Sequence, residues 1–484
     1  GYAGTGKTTL GENIVNYINV KNKKEGKENG VVYIAAPTNK AVLRLEEKSK
    51  DEKGKPKYDA KHSTLHSLLY GQPDEESGKF ELKSQSFSKD DILIVDESSM
   101  INGKIWDDIK TKFIKNGIKV IFIGDGFQLE AIKETGYENP ELTDRWKQKG
   151  AQIKEVVRQA AESSIIKLAT IIRIKKQMFF PSKSSDDVVL QSKNDMLDEY
   201  YKHVKEGLNS ILIVAKNTTR QFYNNKARFA KWGTESKNPL NEGESVISVN
   251  NASAGKRNGE ISVVGEIVSI SEPIKVDVEV YDNKTKQMIL KPQNLYAYVH
   301  LDENGNKKYD FFTDTLKDAS FHGSQINKAS RVMLYEDYPM WMGMTKKGNI
   351  ILNEATNINT YGYAITAHKS QGSEWDNVFI GELQTWGSSL GQAKWLYTSV
   401  TRAAKKLYAP SEFVNSGNSS NWELMTFVFN RDMLTKNDKT NEKLQEISKG
   451  QRIDSNKDLA KKIAKRLKKQ FPFIEALAVQ RVYD

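Results

Sequence analysis

The sequence predicts an α/β protein with two parallel-sheet domains, a small β-hairpin insertion and an inserted all-β domain. Short buried strands alternate with helices through the first half of the chain, and polar residues follow each strand. From about 238 to 355 the pattern changes to short alternating strands joined by Asn/Gly turns, after which the strand–helix order returns. This order favours an all-β insert within an α/β domain over a separate tandem domain.

Composition limits the classes of protein that the chain can belong to. With 484 residues, 28% of them charged, the chain is long enough for two to four domains, and its apolar runs are too short to cross a membrane. The absence of cysteine excludes disulfide scaffolds, thiol catalysis and cysteine-ligated zinc, and is compatible with a reducing cytosol. A net charge of +11 favours a polyanionic partner, although solubility alone explains it equally well.

The first element is a phosphate-binding loop in the stretch "GYAGTGKTTL". It fits the pattern G-x-x-x-x-G-K-[ST], in which backbone amides surround phosphates and the lysine reaches the terminal ones. The apolar spacing that follows predicts a helix, whose N-terminus favours anions. The candidate nucleotide-binding residues here are Gly4, Thr5, Gly6, Lys7, Thr8 and Thr9.

Two later strands end in polar residues that complete this candidate site. "DILIVDESSM" ends in Asp96 and Glu97, and "KVIFIGDGFQL" leads to Gln128. Because parallel strands present their carboxyl ends at one edge of a sheet, we expect these side chains to lie near Lys7. Thr8 and Asp96 are candidate Mg²⁺ ligands, Glu97 a candidate to orient or deprotonate water, and Gln128 a candidate sensor of the γ-phosphate. The alternative for the acids is an ordinary solvated turn.

The order of motifs over residues 1 to about 408 resembles that of superfamily-one helicases, and most of all the B branch, which includes RecD and the phage helicase Dda. The motifs are "GYAGTGKTT", "AAPTNKA", "STLHSLL", "DESSM", "GDGFQLEAI", "VVRQ", "ITAHKSQGSEWDNVFI" and "LYTSVTRAAKKL". Each is weak alone, but eight in this order are very rarely found by chance.

The resemblance implies a domain organisation of two RecA-like domains with an inserted SH3-like domain. It assigns 1–150 to the first RecA-like domain with a hairpin at about 67–90, 151–237 and 358–410 to the second, 238–357 to the insert and 411–484 to a basic helical tail. The tail helix around "SNKDLAKKIAKRLKKQF" is either a solvated surface helix or a binding element.

The resemblance also implies roles at the nucleotide. Arg402 matches the family's arginine finger, and Arg158 matches a second arginine that contacts the nucleotide from the other side of the cleft. Gly372 and Glu374 are assigned to the same site. Guanidinium groups suit this task because phosphoryl transfer spreads negative charge over the γ-oxygens. A surface salt bridge is the alternative for either arginine.

A further set of positions matches the single-strand contacts of the family. They are Pro37, Thr38, Asn39, Thr64 and His66 in the first RecA-like domain, and Thr366, His368, Lys369, Gln371 and Gly372 in the second, where the last residues hold the strand or couple it to ATP. Phe80 in the hairpin is a candidate wedge, with Phe87 as the other candidate. The alternative for His66 is a structural role. The alternative for the two phenylalanines is burial under the hairpin.

Together these matches imply an ATP- and Mg²⁺-dependent DNA helicase that moves 5′→3′ on single-stranded DNA. The resemblance implies a monomer in the cytoplasm of a bacterial or phage-infected cell, acting on forks with replication, repair or recombination proteins and not at a membrane. An RNA helicase, and a RecD-type subunit of a nuclease complex, are the alternatives. Because a strand and a glutamine motif precede the phosphate loop in this family, we also expect native residues upstream of Gly1.

Overall fold

The structure is a computed structural model. It describes residues 5–25, 30–73, 80–84, 87–131, 163–252, 254–282, 285, 287–314, 325–345, 347–415, 424–429 and 474–480. Residues 1–414 form one compact unit and 415–484 a second. Among the described residues, no helix combines the length and the apolar character needed to cross a membrane.

The first lobe of the larger unit is a parallel sheet with helices on both faces. Its elements are α1 (Lys7–Lys24), β1 (Val32–Ala36), α2 (Asn39–Lys48), β2 (Lys61–Thr64), α3 (Leu65–Leu69), β3 (Tyr70–Pro73), β4 (Phe80–Leu82), β5 (Ile92–Val95), α4 (Gly103–Lys112) and β6 (Lys119–Phe122). The strand order is β2-β1-β5-β6, and every neighbouring pair is parallel. Strands β3 and β4 form a separate antiparallel pair where the hairpin is predicted.

The sequence of β1 explains why this sheet is covered on both faces. All five of its residues are buried, and successive side chains of a strand point to opposite faces. Tyr33 and Ala35 pack in the cluster that contains α3 and α4, whereas Val32 and Ile34 pack in the cluster that contains α1 and α2. The carboxyl ends of β1, β5 and β6 therefore meet at one edge.

The second lobe begins after residue 162. Its first elements are α5 (Ser164–Lys175), β7 (Val188–Gln191), α6 (Lys193–Glu206), β8 (Ser210–Val214) and α7 (Asn217–Trp232). The apolar residues of α5 recur at helical spacing, and Ile165, Leu168 and Ile172 are buried in the core of this lobe.

A β-rich insert interrupts the second lobe. Its elements are β9 (Ser245–Ser248), β10 (Ile261–Val263), β11 (Ile267–Ile270), β12 (Ile274–Asp282), β13 (Gln287–Leu301), β14 (Lys307–Phe312), α8 (Lys328–Asp337), β15 (Met342–Met344), β16 (Ile350–Leu352) and β17 (Ile358–Tyr361). Seven strands form one sheet with the path β10-β9-β17-β14-β13-β11, and β12 pairs with β13.

The insert differs from the sequence expectation in two respects. The boundary predicted at 357 is too early, because Ile358–Tyr361 pairs with β9 and β14 of the insert sheet. The insert also contains the helix α8 and is therefore β-rich rather than all-β. The Asn327 side chain caps the start of this helix by accepting a hydrogen bond from the Ser330 amide. The SH3-like assignment of the insert stays a prediction.

The second lobe resumes after the insert. Its remaining elements are β18 (Ala364–Thr366), α9 (Ala367–Ser370), β19 (Trp375–Ile380), α10 (Ser389–Val400) and β20 (Ala403–Pro410). The sheet order β18-β8-β19-β20-β7 is parallel throughout. The mixed α/β architecture with two parallel sheets is thus confirmed. In the smaller unit, β21 (Leu424–Phe429) and β22 (Ile474–Gln480) form an antiparallel pair.

A buried ion pair joins the second lobe to its insert. Arg228 on α7 donates from Nε and Nη2 to the two carboxylate oxygens of Glu244, at 2.9 and 3.0 Å, and the Tyr363 hydroxyl donates to the same carboxylate at 2.9 Å. Both charged side chains are buried. The carboxylate therefore pairs with a guanidinium that is almost fully removed from water.

We expect Glu244→Ala to lower the free energy of unfolding by about 3–5 kcal/mol, because it leaves the buried Arg228 charge without its partner. Chemical denaturation followed by circular dichroism measures this loss. The control is Glu242→Ala, two residues away and exposed. A similar midpoint for the two variants would contradict the expectation.

Candidate nucleotide and nucleic-acid site

The phosphate loop enters α1 through a left-handed glycine. Gly6 has φ 72°, a conformation that favours glycine, and its carbonyl accepts the first helical hydrogen bond from the Leu10 amide at 2.9 Å. Thr5 is buried, Lys7 is half-buried at the first helical position and Thr9 is exposed. The first-turn amides, which point out of the helix N-terminus, and the helix dipole make this end suited to a phosphate. Gly4 and the side chain of Thr8 lie outside the described residues.

Asp96 follows the central strand β5. Its amide donates to the Ala35 carbonyl at 2.9 Å, and its carboxylate Oδ1 accepts the Glu97 amide at 2.8 Å. Burial raises the pKa of Asp96 to about 6, the neighbouring Glu97 charge acts in the same direction, and the charges of Lys7 and Arg44 oppose them. Lys7 therefore lies within electrostatic range of Asp96, as the sequence predicts.

Glu97 has an unusual backbone and an unsatisfied carboxylate oxygen. Its φ of 48° is one of two left-handed values at non-glycine residues in the described chain. Its Oε2 atom is buried and has no hydrogen-bond donor among the described residues. Strain and an unpaired polar atom at the same residue are features that functional sites retain.

Arg402 is buried at the end of α10, directly before β20. Its guanidinium donates to the Thr398 carbonyl, the Ser373 carbonyl and the Thr401 hydroxyl at 3.0–3.1 Å. Burial lowers the pKa of Arg402, and the negative charge of Glu97 is the largest opposing influence. Arg402 and Glu97, which lie on different lobes, are therefore within electrostatic range of each other.

Several contacts form the seam, by which we mean the boundary where α2 and residues 125–130 meet residues 371–402. Arg44 on α2 pairs with Glu374 at 2.7 Å. Gly372 has φ 77°, and a Cβ atom there would lie 3.5 Å from Thr38 Oγ1 and from the Ala41 amide. The predicted nucleotide residues Gly372 and Glu374 are thus brought to the boundary between the lobes. Arg44 was missed by sequence reasoning, and only its place in the "PTNKAVLRL" motif pointed to it.

Gln128 is placed at the seam by a loop that begins after β6. Its side chain is buried, and the carbonyl oxygen Oε1 has no hydrogen-bond donor among the described residues. A buried amide oxygen without a donor costs free energy unless a ligand or water completes it. The sequence placed Gln128 at the edge of the first sheet, but its neighbours Phe127 and Leu129 pack in the core of the second lobe.

The candidate strand-binding residues of the first lobe lie at turns after β1 and β2. Pro37 directly follows β1, and the Thr38 hydroxyl accepts the Ala41 amide at the start of α2. Asn39 donates to Asn251 of the insert at 2.6 Å. The Thr64 hydroxyl caps α3 by accepting the Ser67 amide at 3.0 Å.

His66 is exposed on α3, and its ring lies 4.6 Å from that of Tyr70. Its exposure leaves it accessible to a nucleic-acid ligand.

The corresponding residues of the second lobe lie at and after β18. Thr366 ends the strand and His368 is exposed on α9. Lys369 donates to Asn258 of the insert at 2.7 Å, and burial lowers its pKa to about 8. Loops of the insert thus reach the strand-binding candidates of both lobes.

Lys40 was not predicted from the sequence. Its Nζ atom is buried 5.2 Å from the centre of the Trp375 ring, and it has no hydrogen-bond acceptor among the described residues. Burial lowers the pKa of Lys40 to about 8, while Glu260 opposes this effect. A desolvated ammonium at the seam suits an anionic ligand.

The two aromatic wedge candidates have different surroundings. Phe80 begins β4 opposite Pro73, and its side chain lies outside the described residues. Phe87 packs against Tyr33 and Phe113, with ring centres 5.3 and 4.5 Å apart, in the core of the first lobe. Phe87 is therefore half-buried against the core of the first lobe, which favours the buried alternative over a role as the wedge. Arg158 and the predicted tail helix lie outside the described residues.

Comparison with known proteins identifies two domains. The AAA domain family matches residues 1–180, and the UvrD-like helicase C-terminal domain family matches residues 361–409. The second match covers β18, α9, β19, α10 and most of β20. It therefore includes Glu374 and Arg402.

Several curated proteins are similar to the chain over most of its length. An uncharacterized protein of Acanthamoeba polyphaga mimivirus is 25% identical over 84% of this chain and 93% of its own length. The RecBCD enzyme subunit RecD of Buchnera aphidicola (subsp. Acyrthosiphon pisum) is 26% identical over 84% of this chain and 68% of its own. An uncharacterized protein of Methanocaldococcus jannaschii is 24% identical, and only 36% of its length is covered.

Among solved structures, Pif1 helicase from Candida albicans is 16% identical with a TM-score of 0.43, covering 93% of this chain and 94% of that one. The two domain matches and the RecD relative show that the chain is similar to RecD-type helicases, in keeping with the order of its motifs.

Proposed function

We propose that this protein is an ATP-dependent DNA helicase that moves 5′→3′ on single-stranded DNA. The observation that carries the proposal is a chain of electrostatic interactions across the two lobes, in which Lys7 and Glu97 act on Asp96 and Glu97 acts on the buried Arg402. A nucleotide bound there contacts both lobes. Its hydrolysis therefore changes the position of one lobe relative to the other.

The residues of the first lobe suit a nucleotide triphosphate with Mg²⁺. The loop amides and Lys7 face the phosphates, and the Asp96 carboxylate with the Thr8 hydroxyl supplies the oxygen ligands that Mg²⁺ prefers. The Glu97 amide orients the Asp96 carboxylate by donating to its Oδ1 atom at 2.8 Å. Among the described residues, no group of three or more histidines and acids is placed to hold a metal ion by itself. When bound, Mg²⁺ neutralises phosphate charge.

The hydrolysis of ATP is assigned in this proposal to four residues, Glu97, Gln128, Arg402 and Arg158. Glu97 orients the attacking water and accepts its proton, while Gln128 reads the position of the γ-phosphate. Arg402 neutralises the charge that develops on the γ-oxygens, and Arg158 approaches the nucleotide from the other side. The unpaired Oε2 of Glu97 and Oε1 of Gln128 support this assignment, since each lacks a partner in the described residues.

In this proposal, single-stranded DNA binds to residues at the carboxyl ends of β1, β2 and β18. The hydroxyl, amide and imidazole groups of Thr38, Asn39, Thr64, His66, Thr366 and His368 grip phosphates and sugars without reading sequence, and Pro37 shapes the first turn. Because the groups lie on two lobes, closing and opening around ATP moves one grip relative to the other. The β3–β4 hairpin with Phe80 is proposed to separate the strands at a fork.

Polarity, partners and location rest on the family and on named relatives. The 5′→3′ direction, the monomeric state, cytoplasmic action and partner proteins in replication or recombination remain predictions. RecD of Buchnera aphidicola is named as a subunit of the RecBCD enzyme, so the second candidate is a helicase subunit that acts within such a complex. That candidate predicts strand-stimulated ATP turnover with little unwinding by the isolated chain.

The test of the proposal is ATP turnover with and without single-stranded DNA, in the wild type and in Lys7→Ala. We expect DNA to stimulate turnover, and Lys7→Ala to lower the stimulated rate by about a hundredfold because the phosphates lose their cation. Lys23→Ala, an exposed lysine on the same helix, is the control and should match the wild type. Turnover that ignores DNA, or that survives Lys7→Ala, would rule out the proposed motor.

The choice of nucleic acid has its own test. Unwinding is measured on matched DNA and RNA forks with a 5′ single-stranded tail, and on the same DNA fork with a 3′ tail. We expect activity on the 5′-tailed DNA fork. Preference for the RNA fork would support the alternative RNA helicase, and preference for the 3′ tail would overturn the polarity.

A further inference from the structure

The loop that carries Gln128 changes lobes within two residues. Ile123 belongs to the first lobe, where its amide donates to the Val95 carbonyl at 2.7 Å and its carbonyl accepts the Ser98 amide at 3.0 Å. Phe127 and Leu129 instead lie in the core of the second lobe, and the Phe127 ring packs edge-on against Tyr397, 5.2 Å away. The loop is therefore anchored in the lobe opposite to the strand from which it starts.

A buried polar triad supplies the anchor. The Asp125 carboxylate accepts hydrogen bonds from Arg173 Nη1 on α5 at 2.5 Å and from the Tyr397 hydroxyl on α10 at 2.6 Å. Arg173 also contacts that hydroxyl at 3.3 Å. Asp125 has no exposed surface and Tyr397 is 1% exposed. Charge-assisted hydrogen bonds in such an environment are strong and directional.

A second link joins the same loop to Arg402. The Leu129 amide donates to the Thr398 hydroxyl at 2.9 Å, and the Thr398 carbonyl accepts Arg402 Nε at 3.0 Å. Gln371 closes the loop by donating to the Leu129 carbonyl at 2.9 Å. Only Thr398 separates the backbone next to Gln128 from the guanidinium of Arg402.

We propose that Asp125, Arg173 and Tyr397 are positioning residues that fix Gln128 to α10, so that Gln128 and Arg402 move as one body with the second lobe toward Lys7 and Glu97. The expected effect of this anchoring on ATP turnover rests on the proposed ATPase function, whereas the anchoring itself does not. Loss of the triad leaves both groups present but misaligned at the γ-phosphate, which affects the chemical step more than nucleotide binding.

The structural arm of the test is amide hydrogen exchange over residues 123–131 in the wild type, Tyr397→Phe and Tyr200→Phe. Asp125 Oδ1 accepts the Phe127 amide at 3.1 Å, so a loosened carboxylate should speed exchange at Phe127 and Leu129 by about tenfold in Tyr397→Phe. Tyr200→Phe is the matched control, because it removes a buried hydroxyl that donates to the Tyr363 carbonyl in the other core of the same lobe. Unchanged exchange in Tyr397→Phe would overturn the anchoring.

The kinetic arm uses the same variants at saturating single-stranded DNA. We expect Tyr397→Phe to lower kcat for ATP about tenfold with KM changed less than about twofold, and Tyr200→Phe to retain the wild-type kcat. If Tyr397→Phe and Tyr200→Phe lower the melting temperature alike and neither changes kcat, the triad is only structural and the inference fails. A wild type without DNA-stimulated turnover would instead refute the proposed function, and the exchange arm would still decide the anchoring.

Discussion

Arg402→Ala should lower DNA-stimulated ATP turnover by about a thousandfold, because an arginine supplied to the γ-phosphate accounts for rate factors of this size. Arg402 is buried at the seam, and three of its N–H groups are held by protein acceptors. This fixes the guanidinium plane before nucleotide arrives. Turnover under saturating ATP and DNA is the measurement, with nucleotide affinity recorded separately by fluorescence titration.

Two further variants make that result interpretable. Arg402→Lys keeps a positive charge but cannot bond Thr398 and Ser373 at once, so its turnover should lie within about tenfold of the alanine variant. Lys406→Ala, which removes an exposed cation from the strand that follows Arg402, should behave as the wild type. Near-normal turnover in Arg402→Lys would mean that charge alone is sufficient. Near-normal turnover in Arg402→Ala would remove Arg402 from the mechanism.

Much of the site could be predicted from sequence because its parts are local. The phosphate loop, the acids after β5 and the threonine caps each depend on a few consecutive residues. The continuous burial of β1 and the apolar spacing of α5 likewise follow from short-range patterns. These features are properties of single elements, and they required no knowledge of how the elements pack.

Contacts between distant parts of the chain could not be predicted in this way. Asp125 and Arg173 are 48 positions apart, and Asp125 and Tyr397 are 272 apart, so no local pattern links them. The same holds for Arg44 with Glu374, at a separation of 330. Phe87 illustrates the reverse error, since an aromatic in a polar stretch suggests exposure until Phe113 is brought against it. Such pairings depend on tertiary packing.

Glu97→Gln is the second prediction with a large expected effect. It should lower ATP turnover by about a thousandfold while nucleotide affinity changes little, because the amide keeps the size of the side chain but accepts no proton. Glu97 is suited to this test, since its buried Oε2 atom has no hydrogen-bond donor among the described residues. Turnover and nucleotide titration on the same sample separate chemistry from binding.

The control for Glu97→Gln is Glu130→Gln, an exposed glutamate at the seam that pairs with Lys394. It loses one surface ion pair and should retain turnover within about twofold. Equal losses in the two variants would point to disturbed packing between the lobes. Loss confined to Glu97→Gln, together with retained affinity and a normal melting temperature, requires the carboxylate itself at the reacting water, because volume, fold and ligand binding are then unchanged.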